Sequence, residues 1–328
     1  MTALHQWLLK FKPYFLFIEW TKVLVLPGFK PLPLYTVGSF FIQEISKESL
    51  VNKASSLAYN FLLAIFPAII FLFTLIPYIP ISNFQDQLLS LVAMVLPKNA
   101  YLAVQATLID IVKNQNGKLL SFGFLFALFF ATNGVHNLMI AFNKSSLVEE
   151  SRTWLQQRWV SLQLTFIIAF GLVSGLSIIT FTEYFISLLR TEIRLNNYFW
   201  ILIIDLSRWV ILIALYFITI SILYRYGPAN TKKWKLFSPG SWLATFLAVL
   251  TFWGFAFYIN NFSTYNKLYG SIGTLIVMMI WMYLNSLIIL IGFELNASIE
   301  LSKRSIKIVK PQYKRFRSDL NLKNQTKE

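Results

Sequence analysis

The sequence predicts an all-α integral membrane protein with six transmembrane helices plus amphipathic interfacial helices. Hydrophobic residues make up 56% of the 328 positions and charged residues only 13%, and the mean hydropathy is +0.60. A soluble protein of this composition would expose too much apolar surface to water. In addition, six stretches are long and apolar enough to cross a hydrocarbon core of about 30 Å as helices, at about 1.5 Å per residue. The solvent of this chain is therefore lipid.

The first segment, residues 1–53, is predicted to be cytoplasmic and interfacial and not to span the membrane. Its apolar part is interrupted by charges and a proline, at Lys10, Lys12, Pro13, Glu19 and Lys22. A spanning helix there would bury several charges in lipid, at a cost of about 2.5–3.5 kcal/mol each. The same charges exclude a secretory signal peptide, because they lie inside the apolar region. Residues 40–53 favour a short amphipathic helix that leads into the membrane.

The six-helix transmembrane domain is predicted to cover residues 54–300. Its first five spans are expected at about 56–79, 119–141, 160–181, 198–223 and 239–259. Pro67 lies inside the first span, where the missing backbone N–H favours a kink. Between the first two spans, residues 84–113 carry apolar side chains at helical spacing but are too polar to cross. They are predicted to form two amphipathic helices on the outer membrane face.

The sixth span, at about 272–293, is the most clearly defined, since residues 272–291 contain no charge. Tyr269, Gly270 and Gly273 form a turn where it begins, and Glu294 follows it, where the chain is expected to re-enter water. The glycines of the turn either allow a tight reversal or let backbone N–H groups cradle an anion. The conformational freedom of glycine favours the reversal.

Lysine and arginine are concentrated in alternate connections, which predicts the orientation of the chain. They cluster in the N-terminal segment, in residues 142–159 and 224–238, and after residue 300. Six spans with both termini in the cytoplasm fit this bias. The basic tail, residues 301–328, together with a net charge of +15, suggests either nucleic-acid binding or attraction to anionic lipid. The juxtamembrane position and the lack of stacked aromatics and Gly-rich turns favour lipid and no nucleic acid.

The sharpest candidate feature is a pair of opposite charges in the fourth span. Asp205 and Arg208 stand three residues apart, close enough to pair, and Tyr216 follows on the same stripe of the helix. Charged groups in lipid are costly and often mark a functional path. The pair either neutralises itself and fixes helix packing, or forms a gate or substrate contact, and the sequence favours neither.

Amide side chains and a histidine supply the remaining candidates for a substrate path. Asn133, His136 and Asn137 cluster near the cytoplasmic end of the second span, and Asn60 lies at a similar depth in the first. In the sixth span, Asn285 shares a face with Gly292, and Trp281 lies beside it. If these faces converge with Asp205 and Arg208, a staggered polar route crosses the bundle. The histidine is more typical of a hydrogen-bonded packing element than of a proton relay.

Composition also limits the chemistry. The chain has no cysteine, which excludes disulfides and thiolate metal sites, and two histidines leave little scope for a histidine-rich metal site. We therefore expect no cofactor, no metal and no catalytic residues. Gly171 and Gly175 in the third span predict close helix packing, either within one chain or in a homo-oligomer.

Several motifs in order resemble the YihY/virulence factor BrkB family of bacterial inner-membrane proteins, once labelled ribonuclease BN. They are KASSLAYNFLLAIFPAIIF at 53–71, TNGVHNLMIAFNKSSLVEESR at 132–152, Arg208-Trp209, SPGSW at 238–242, and YNKLYGSIGTLIVMMIWMYLNSLIILIGFELNA at 265–297. The chain departs from the family pattern at Asn60, Phe142 and Asn285. The resemblance implies a six-helix protein of the bacterial inner (plasma) membrane without an established activity.

Two functions follow as hypotheses. The first is transport or flipping of a lipid or an amphipathic anion, and the second is a non-transporting role in envelope structure or assembly. Phosphodiester hydrolysis needs clustered carboxylates or histidines that hold a divalent metal, or a basic active-site pair. The acids of this chain are scattered instead. We therefore expect that the protein is not an enzyme and not a ribonuclease.

Overall fold

The computed structural model describes residues 12–29, 31–46, 48–78, 85–86, 89–90, 98–145, 148–191, 198–229, 235–261 and 271–325. Every regular element in these ranges is helical. Two short helices come first, α1 (Lys12–Val23) and α2 (Leu34–Ile45), and α4 (Lys98–Lys113) lies between the first two spans. The long helices are α3 (Glu48–Leu75), α5 (Gly117–Ser145), α6 (Trp154–Thr191), α7 (Tyr198–Tyr226), α8 (Pro239–Asn261) and α9 (Ser271–Gln325).

Six helices of the described chain are long and apolar enough to cross a membrane, which confirms the all-α membrane fold. The corresponding segments are Ser49–Tyr78, Gly117–Ser145, Trp154–Ile186, Leu202–Tyr226, Pro239–Ile259 and Leu275–Lys303. Each lies on one of the predicted spans, but most are longer. Uncharged runs locate a span reliably because charge in lipid is costly, whereas helix ends extend into the interface.

Three boundary predictions need correction. Residues 40–53 do not form one short helix, because α2 ends at Ile45 and α3 has begun by Glu48. Lys53 therefore belongs to the first spanning helix. Glu294 does not re-enter water, since it is 2% exposed and lies inside α9. The sixth span continues past it to Lys303.

The six long helices form a closed ring in which each packs against the next along the chain. α3 packs on α5, α5 on α6, α6 on α7, α7 on α8, α8 on α9, and α9 packs back on α3. Successive helices run in opposite directions. We call the side where α3, α6 and α8 begin the tail side and the opposite side the far side. α4 lies on the far side, against the turn Ile76–Tyr78.

The tightest packing lies in the tail-side half of the ring. Phe142 of α5 stacks on Phe293 of α9 with ring centroids 4.0 Å apart, and the Tyr224 ring of α7 meets both edge-on. All three side chains are buried. Offset and edge-to-face aromatic pairs add about 0.5–1.5 kcal/mol beyond their area burial. Phe142 thus fills the centre of the core.

The N-terminal segment docks on the tail side of the bundle. Phe29, Leu32 and Val37 form a small apolar cluster with Ile299 of α9. Gly28 has φ +93°, and a Cβ atom there would lie 2.8 Å from Cγ of Pro239, where α8 begins. Only glycine adopts that conformation at no steric cost and leaves that space. The turn therefore joins the segment to two spanning helices.

Candidate functional site

A buried ion pair joins three helices on the tail side. Lys53 of α3 donates from Nζ to Oγ of Ser145 at 3.0 Å, and the Ser145 hydroxyl of α5 donates in turn to Oε1 of Glu294 in α9. The same Lys53 nitrogen lies 3.7 Å from Oε1 of Glu294, whose side chain is only 3% exposed. Buried charges persist only when they are paired and hydrogen-bonded. This triad therefore fixes α3, α5 and α9 relative to one another.

A second polar contact joins α8 to α9. Asn296 accepts a hydrogen bond from the backbone N–H of Gly240 at 2.8 Å and donates one to Oγ of Ser238 at 2.8 Å. The asparagine thereby caps the beginning of α8, where backbone N–H groups lack helical partners. Gly240 and Gly292 lie at the same crossing, and a Cβ atom on either would overlap the backbone of the other helix. Two glycines thus permit this close approach.

The connection between α5 and α6 is tied to the segment after α7. Arg152 forms hydrogen bonds with both carboxylate oxygens of Glu150, at 2.8 and 2.9 Å, and with the carbonyl oxygen of Gly227 at 3.0 Å. Asn143 donates to Glu150 at 2.6 Å and accepts from the backbone N–H of Ala229 at 2.8 Å. The hydrogen-bonded Arg152 guanidinium holds the pKa of the Glu150 carboxyl below its usual range.

These three groups of contacts form one layer across the tail side, which we call the polar layer. Its members come from α3, α5, α9, the beginning of α8 and both tail-side connections. They are Lys53, Asn143, Ser145, Glu150, Arg152, Ser238, Gly240, Glu294 and Asn296. Four of the six spanning helices and both tail-side connections contribute, so the layer joins most of the ring on this side.

A chain of amides and an arginine links α3, α5 and α6. Asn133 of α5 donates to Oδ1 of Asn60 in α3 at 3.3 Å, and Nη1 of Arg158 in α6 donates to Oδ1 of Asn133 at 3.3 Å. Asn60 also donates to the carbonyl oxygen of Ser56 in its own helix at 2.7 Å. The structure thus brings together two predicted path residues and adds a cation between α3, α5 and α6.

His136 lies one turn from Asn133 on α5. Its Nδ1 atom is buried and, within the described residues, has no hydrogen-bond partner. Asn133, on the same part of α5, accepts a hydrogen bond from the Arg158 guanidinium. Asn137 follows His136 and is half-buried. This part of the predicted path is therefore polar and lies next to a guanidinium.

The Asp205–Arg208 pair stands apart from these groups. The guanidinium of Arg208 lies 2.5 Å from Oδ1 of Asp205, on the same face of α7. The Arg208 side chain is 14% exposed and that of Asp205 is 44% exposed. No described hydrogen bond or ion pair connects the pair to Asn133 or Asn285. Tyr216 is two turns further along α7, with its hydroxyl buried and without a described partner.

The candidates of the sixth span pack within the protein. Asn285 donates to the carbonyl oxygen of Trp281 at 2.8 Å, in its own helix. The Trp281 ring packs against Phe252 and Phe255 of α8, with centroids 6.4 and 4.8 Å away. Gly273 is buried at the beginning of α9. Tyr269 and Gly270 lie outside the described residues.

Two helix-packing features lie away from these polar groups. Pro67 lies inside α3, which continues to Leu75. Gly171 and Gly175 of α6 face α7, where Cβ atoms on them would lie 2.9 Å from Oγ1 of Thr219 and 3.7 Å from Leu212. Of the two alternatives for these glycines, the structure therefore gives packing within one chain.

Sequence reasoning assigned no role to Lys53, Ser145, Asn143, Arg152, Arg158 or Asn296. Lys53 and Arg158 lie near span ends, where cations are expected as a topology signal. The negative charge of Glu294 was a usable signal for Lys53. A carboxylate directly after an uncharged run needs a cationic partner if the helix continues. Among the described residues, no group of three histidine or acidic side chains could hold a metal ion.

A shallow groove of about 250 Å³ runs between α3 and α9. Its lining is almost entirely apolar, with Ser55, Tyr59 and Leu62 on one wall and Met279, Ile280 and Tyr283 on the other. The groove opens sideways, where a spanning protein meets lipid tails. An acyl chain is the group that matches such a surface.

Comparison with known proteins gives a consistent family. The family model described as Virulence factor BrkB matches residues 41–314. The ribonuclease-like protein YfkH of Bacillus subtilis is 33% identical over 256 residues, which cover 77% of this chain and 91% of that protein.

Other relatives are longer. A UPF0761 membrane protein of Stenotrophomonas maltophilia is 25% identical over 266 residues, or 80% of this chain, and the chain spans 60% of that protein's length. A UPF0761 membrane protein of Xanthomonas axonopodis is 35% identical over 86 residues, which are 26% of this chain and 20% of that protein. No solved structure matches the chain.

Proposed function

Because the chain belongs to the virulence factor BrkB family and carries charged and amide side chains within its spans, we propose that it moves a lipid or an amphipathic anion across the bacterial inner membrane. Polar groups in a bilayer are costly and persist where they serve a path or a packing contact.

The proposal depends on one observation, which is the presence of two stations at different depths, each with an arginine guanidinium. The Asn60–Asn133–Arg158 chain lies toward the tail side. The Asp205–Arg208 pair lies further toward the far side, on a neighbouring helix. An anionic headgroup that passes along α6 and α7 would meet a guanidinium at each station, which lowers the cost of moving its charge through lipid.

The polar layer supports a gate on the tail side. Its ion pair and its hydrogen bonds join α3, α5, α8 and α9, so passage requires these contacts to separate. Packed helix interfaces switch between discrete arrangements rather than deforming continuously. We propose that the described conformation is the one closed on the tail side, and that Asn285 and Tyr216 contact the substrate when the gate opens.

We propose the following orientation and partners. Both termini lie in the cytoplasm, since lysine and arginine concentrate on the tail side. Membrane lipids are the partners, including anionic lipid at the cytoplasmic face, and the basic end of α9 supports this. Nucleic acid is not a partner, and a homo-oligomer, if formed, uses faces other than Gly171 and Gly175.

The test is lipid movement in reconstituted liposomes. Fluorescent phosphatidylglycerol in the inner leaflet is reached by an external quencher only after it crosses the bilayer. We expect the native protein to accelerate crossing, Arg208→Ala to slow it at least about tenfold, and Ser207→Ala to leave it unchanged. The serine is a matched control because the described hydrogen bond of its hydroxyl stays within its own helix, at Ile204. Equal rates for native protein and protein-free liposomes, with several anionic and zwitterionic lipids, would exclude transport.

The alternative, a non-transporting role in envelope structure, has specific support of its own. Asp205 and Arg208 neutralise each other, and Asn285 bonds to its own helix. If these groups only join helices, Arg208→Ala lowers the thermal stability of the purified protein while no lipid moves with either form.

Nuclease activity has weak support. Three acidic side chains of the described chain each pair with a different cation. Glu150 pairs with Arg152, Asp205 with Arg208, and Glu294 with Lys53. Phosphodiester hydrolysis needs such groups together at one centre. We expect no RNA cleavage by the purified protein. Cleavage by the native protein that is lost in Glu294→Gln would overturn this expectation.

A further inference from the structure

The tail-side end of α6 carries an arginine, Arg158, that has no anionic partner among the described residues. Within the described residues, no carboxylate lies within ion-pair distance of Arg158, and its described hydrogen-bond acceptor is the neutral amide of Asn133, at 3.3 Å. Arg208 differs, because Asp205 pairs with it at 2.5 Å. A guanidinium has five N–H groups, so most of those on Arg158 remain available to an external acceptor.

The surroundings of Arg158 supply further ligand groups. His136 lies one turn along α5 from Asn133, and its buried Nδ1 atom has no hydrogen-bond partner among the described residues. Asn60 accepts from Asn133, which orients the Asn133 carbonyl toward the guanidinium. These side chains come from three helices, so the guanidinium is held by the fold and not by its own helix alone.

The depth of the site indicates the ligand. Trp154, Leu155 and Trp159 on the first turns of α6 are all more than 60% exposed, and the Trp154 ring lies 5.9 Å from the Arg158 guanidinium. Exposed tryptophans mark the level where lipid headgroups meet the hydrocarbon core. The groups that carry negative charge at that level are lipid phosphates, whose geometry matches the donors of arginine.

We propose that Arg158, together with Asn133 and His136, binds the phosphate group of a membrane phospholipid at the tail-side interface. This inference rests on the proposed function in one respect, since the bound lipid would be the molecule that is moved. Binding itself requires no movement, so it can be measured separately.

The experiment is a calorimetric titration of the purified full-length protein in detergent. The probes are dioctanoyl-phosphatidylglycerol, dioctanoylglycerol with the same tails and no phosphate, and inorganic phosphate. We expect the phospholipid to bind, dioctanoylglycerol to bind at least about tenfold more weakly, and inorganic phosphate to bind weakly or not at all. Equal binding of dioctanoylglycerol would overturn the proposal, and equal binding of inorganic phosphate would overturn its assignment to lipid.

Two variants and a control locate the site. Arg158→Gln should weaken phospholipid binding at least about tenfold, and Arg158→Lys, which keeps the charge but loses the planar fork, should weaken it severalfold. Lys144→Gln removes the same charge from an exposed position at the end of α5 and should change binding less than twofold. Equal losses of phospholipid binding in Arg158→Gln and Lys144→Gln would show non-specific attraction between the lipid and the positive charges of the protein, and would overturn the proposal. If Arg158→Gln does not fold, the other two variants decide. Weaker phospholipid binding by Arg158→Lys than by Lys144→Gln supports the site, and equal binding overturns it.

The result separates binding from transport. If Arg158→Gln loses phospholipid binding but the native protein moves no lipid, the binding site is supported and the proposed transport function is excluded. If Arg158→Gln still moves lipid, the transport function is supported and the Arg158 site does not lie on the transport path.

Discussion

At the scale of single residues, the crossing of α8 and α9 depends on the absence of side chains. A Cβ atom on Gly240 would overlap the carbonyl oxygen of Gly292, and one on Gly292 would lie 2.7 Å from Cβ of Ala244. The same crossing carries the hydrogen bond from Gly240 to Asn296, at 2.8 Å. Close approach and hydrogen bonding are thus coupled at one point, as is typical of helix association in lipid.

We therefore predict that Gly240→Ala destabilises the protein by about 1–3 kcal/mol, because the added methyl group forces α8 and α9 apart. Gly254→Ala is the matched control on the same helix, since no atom lies within 4 Å of a Cβ there. It should change stability by less than about 1 kcal/mol. Thermal unfolding in detergent measures both, and equal effects of the two substitutions would contradict the crossing.

The buried pair Lys53–Glu294 allows a double-mutant cycle. Lys53→Met leaves the Glu294 carboxylate buried without its cation and should cost up to about 3–5 kcal/mol. Adding Glu294→Gln should restore part of that loss, giving a coupling energy of about 0.5–3 kcal/mol.

An exposed pair provides the control for this cycle. Lys22 and Glu19 are 2.6 Å apart but 46% and 47% exposed, so neutralising Glu19 should leave the unfolding temperature unchanged. Additive effects of Lys53→Met and Glu294→Gln would show that the two groups do not interact.

The residues that were predictable from sequence are those that are chemically out of place. Arg208 and Asp205 lie in the middle of an apolar run, so their pairing at i and i+3 was predicted before the structure was known. Arg158 and Lys53 lie near span ends, where a cation is ordinary. Their inward direction depends on partners in other helices, Asn133 and Glu294, and no local pattern predicts it.

At the scale of elements, the connection between α5 and α6 behaves as a clamp on the segment after α7. Glu150 orients Arg152, which reaches Gly227, and Asn143 binds both Glu150 and Ala229. The clamp holds together the two tail-side connections of the polar layer. Its strength depends on the ionised state of one carboxyl group.

This dependence gives a pH prediction. The pKa of Glu150 is lower in the folded protein than in the unfolded chain, because Arg152 hydrogen-bonds to the carboxylate. Its contribution to stability is therefore complete at neutral pH and is lost as pH falls through the lowered pKa, below the ordinary value of about 4.3. We predict that Glu150→Gln lowers the free energy of unfolding by about 1–3 kcal/mol at pH 7 and has little effect at low pH.

The measurement is thermal unfolding in detergent across this pH range. Glu149→Gln is the control, since Glu149 is the exposed neighbour in the same connection. A difference between native protein and Glu150→Gln that stays constant down to pH 3 would show that the carboxylate is not the source of the effect.

Element positions were predictable because an uncharged run of about 20 residues has one stable form in lipid. The residues at which the elements end were less predictable. The sixth helix was expected to reach water at Glu294, but the Lys53 ammonium and the Ser145 hydroxyl satisfy that carboxylate inside the bundle. A charge that is neutralised by a distant helix no longer marks the end of a span.

At the scale of the whole molecule, the order of helices around the ring was beyond prediction. In a soluble bundle, the apolar stripe of a helix identifies the face that packs. In lipid, both faces are apolar, and small residues and a few polar groups select the neighbour instead. The closure of α9 onto α3 depends on Lys53, Ser145 and Glu294, which are far apart in sequence.

The orientation of the ring across the membrane is the last prediction, and the absence of cysteine makes it testable in the native sequence background. Ser151 is exposed on the tail side, between α5 and α6, and Asn114 is exposed on the far side, after α4. If the tail side is cytoplasmic, a membrane-impermeant maleimide added to spheroplasts should label Asn114→Cys and should leave Ser151→Cys unlabelled until the membrane is permeabilised. The unmodified chain gives the background, and labelling after permeabilisation shows that each cysteine is reactive. Labelling of Ser151→Cys in intact spheroplasts would reverse the orientation, because successive spans alternate. It would also place the Arg158 site in the outer leaflet, so the same measurement decides which leaflet supplies its lipid.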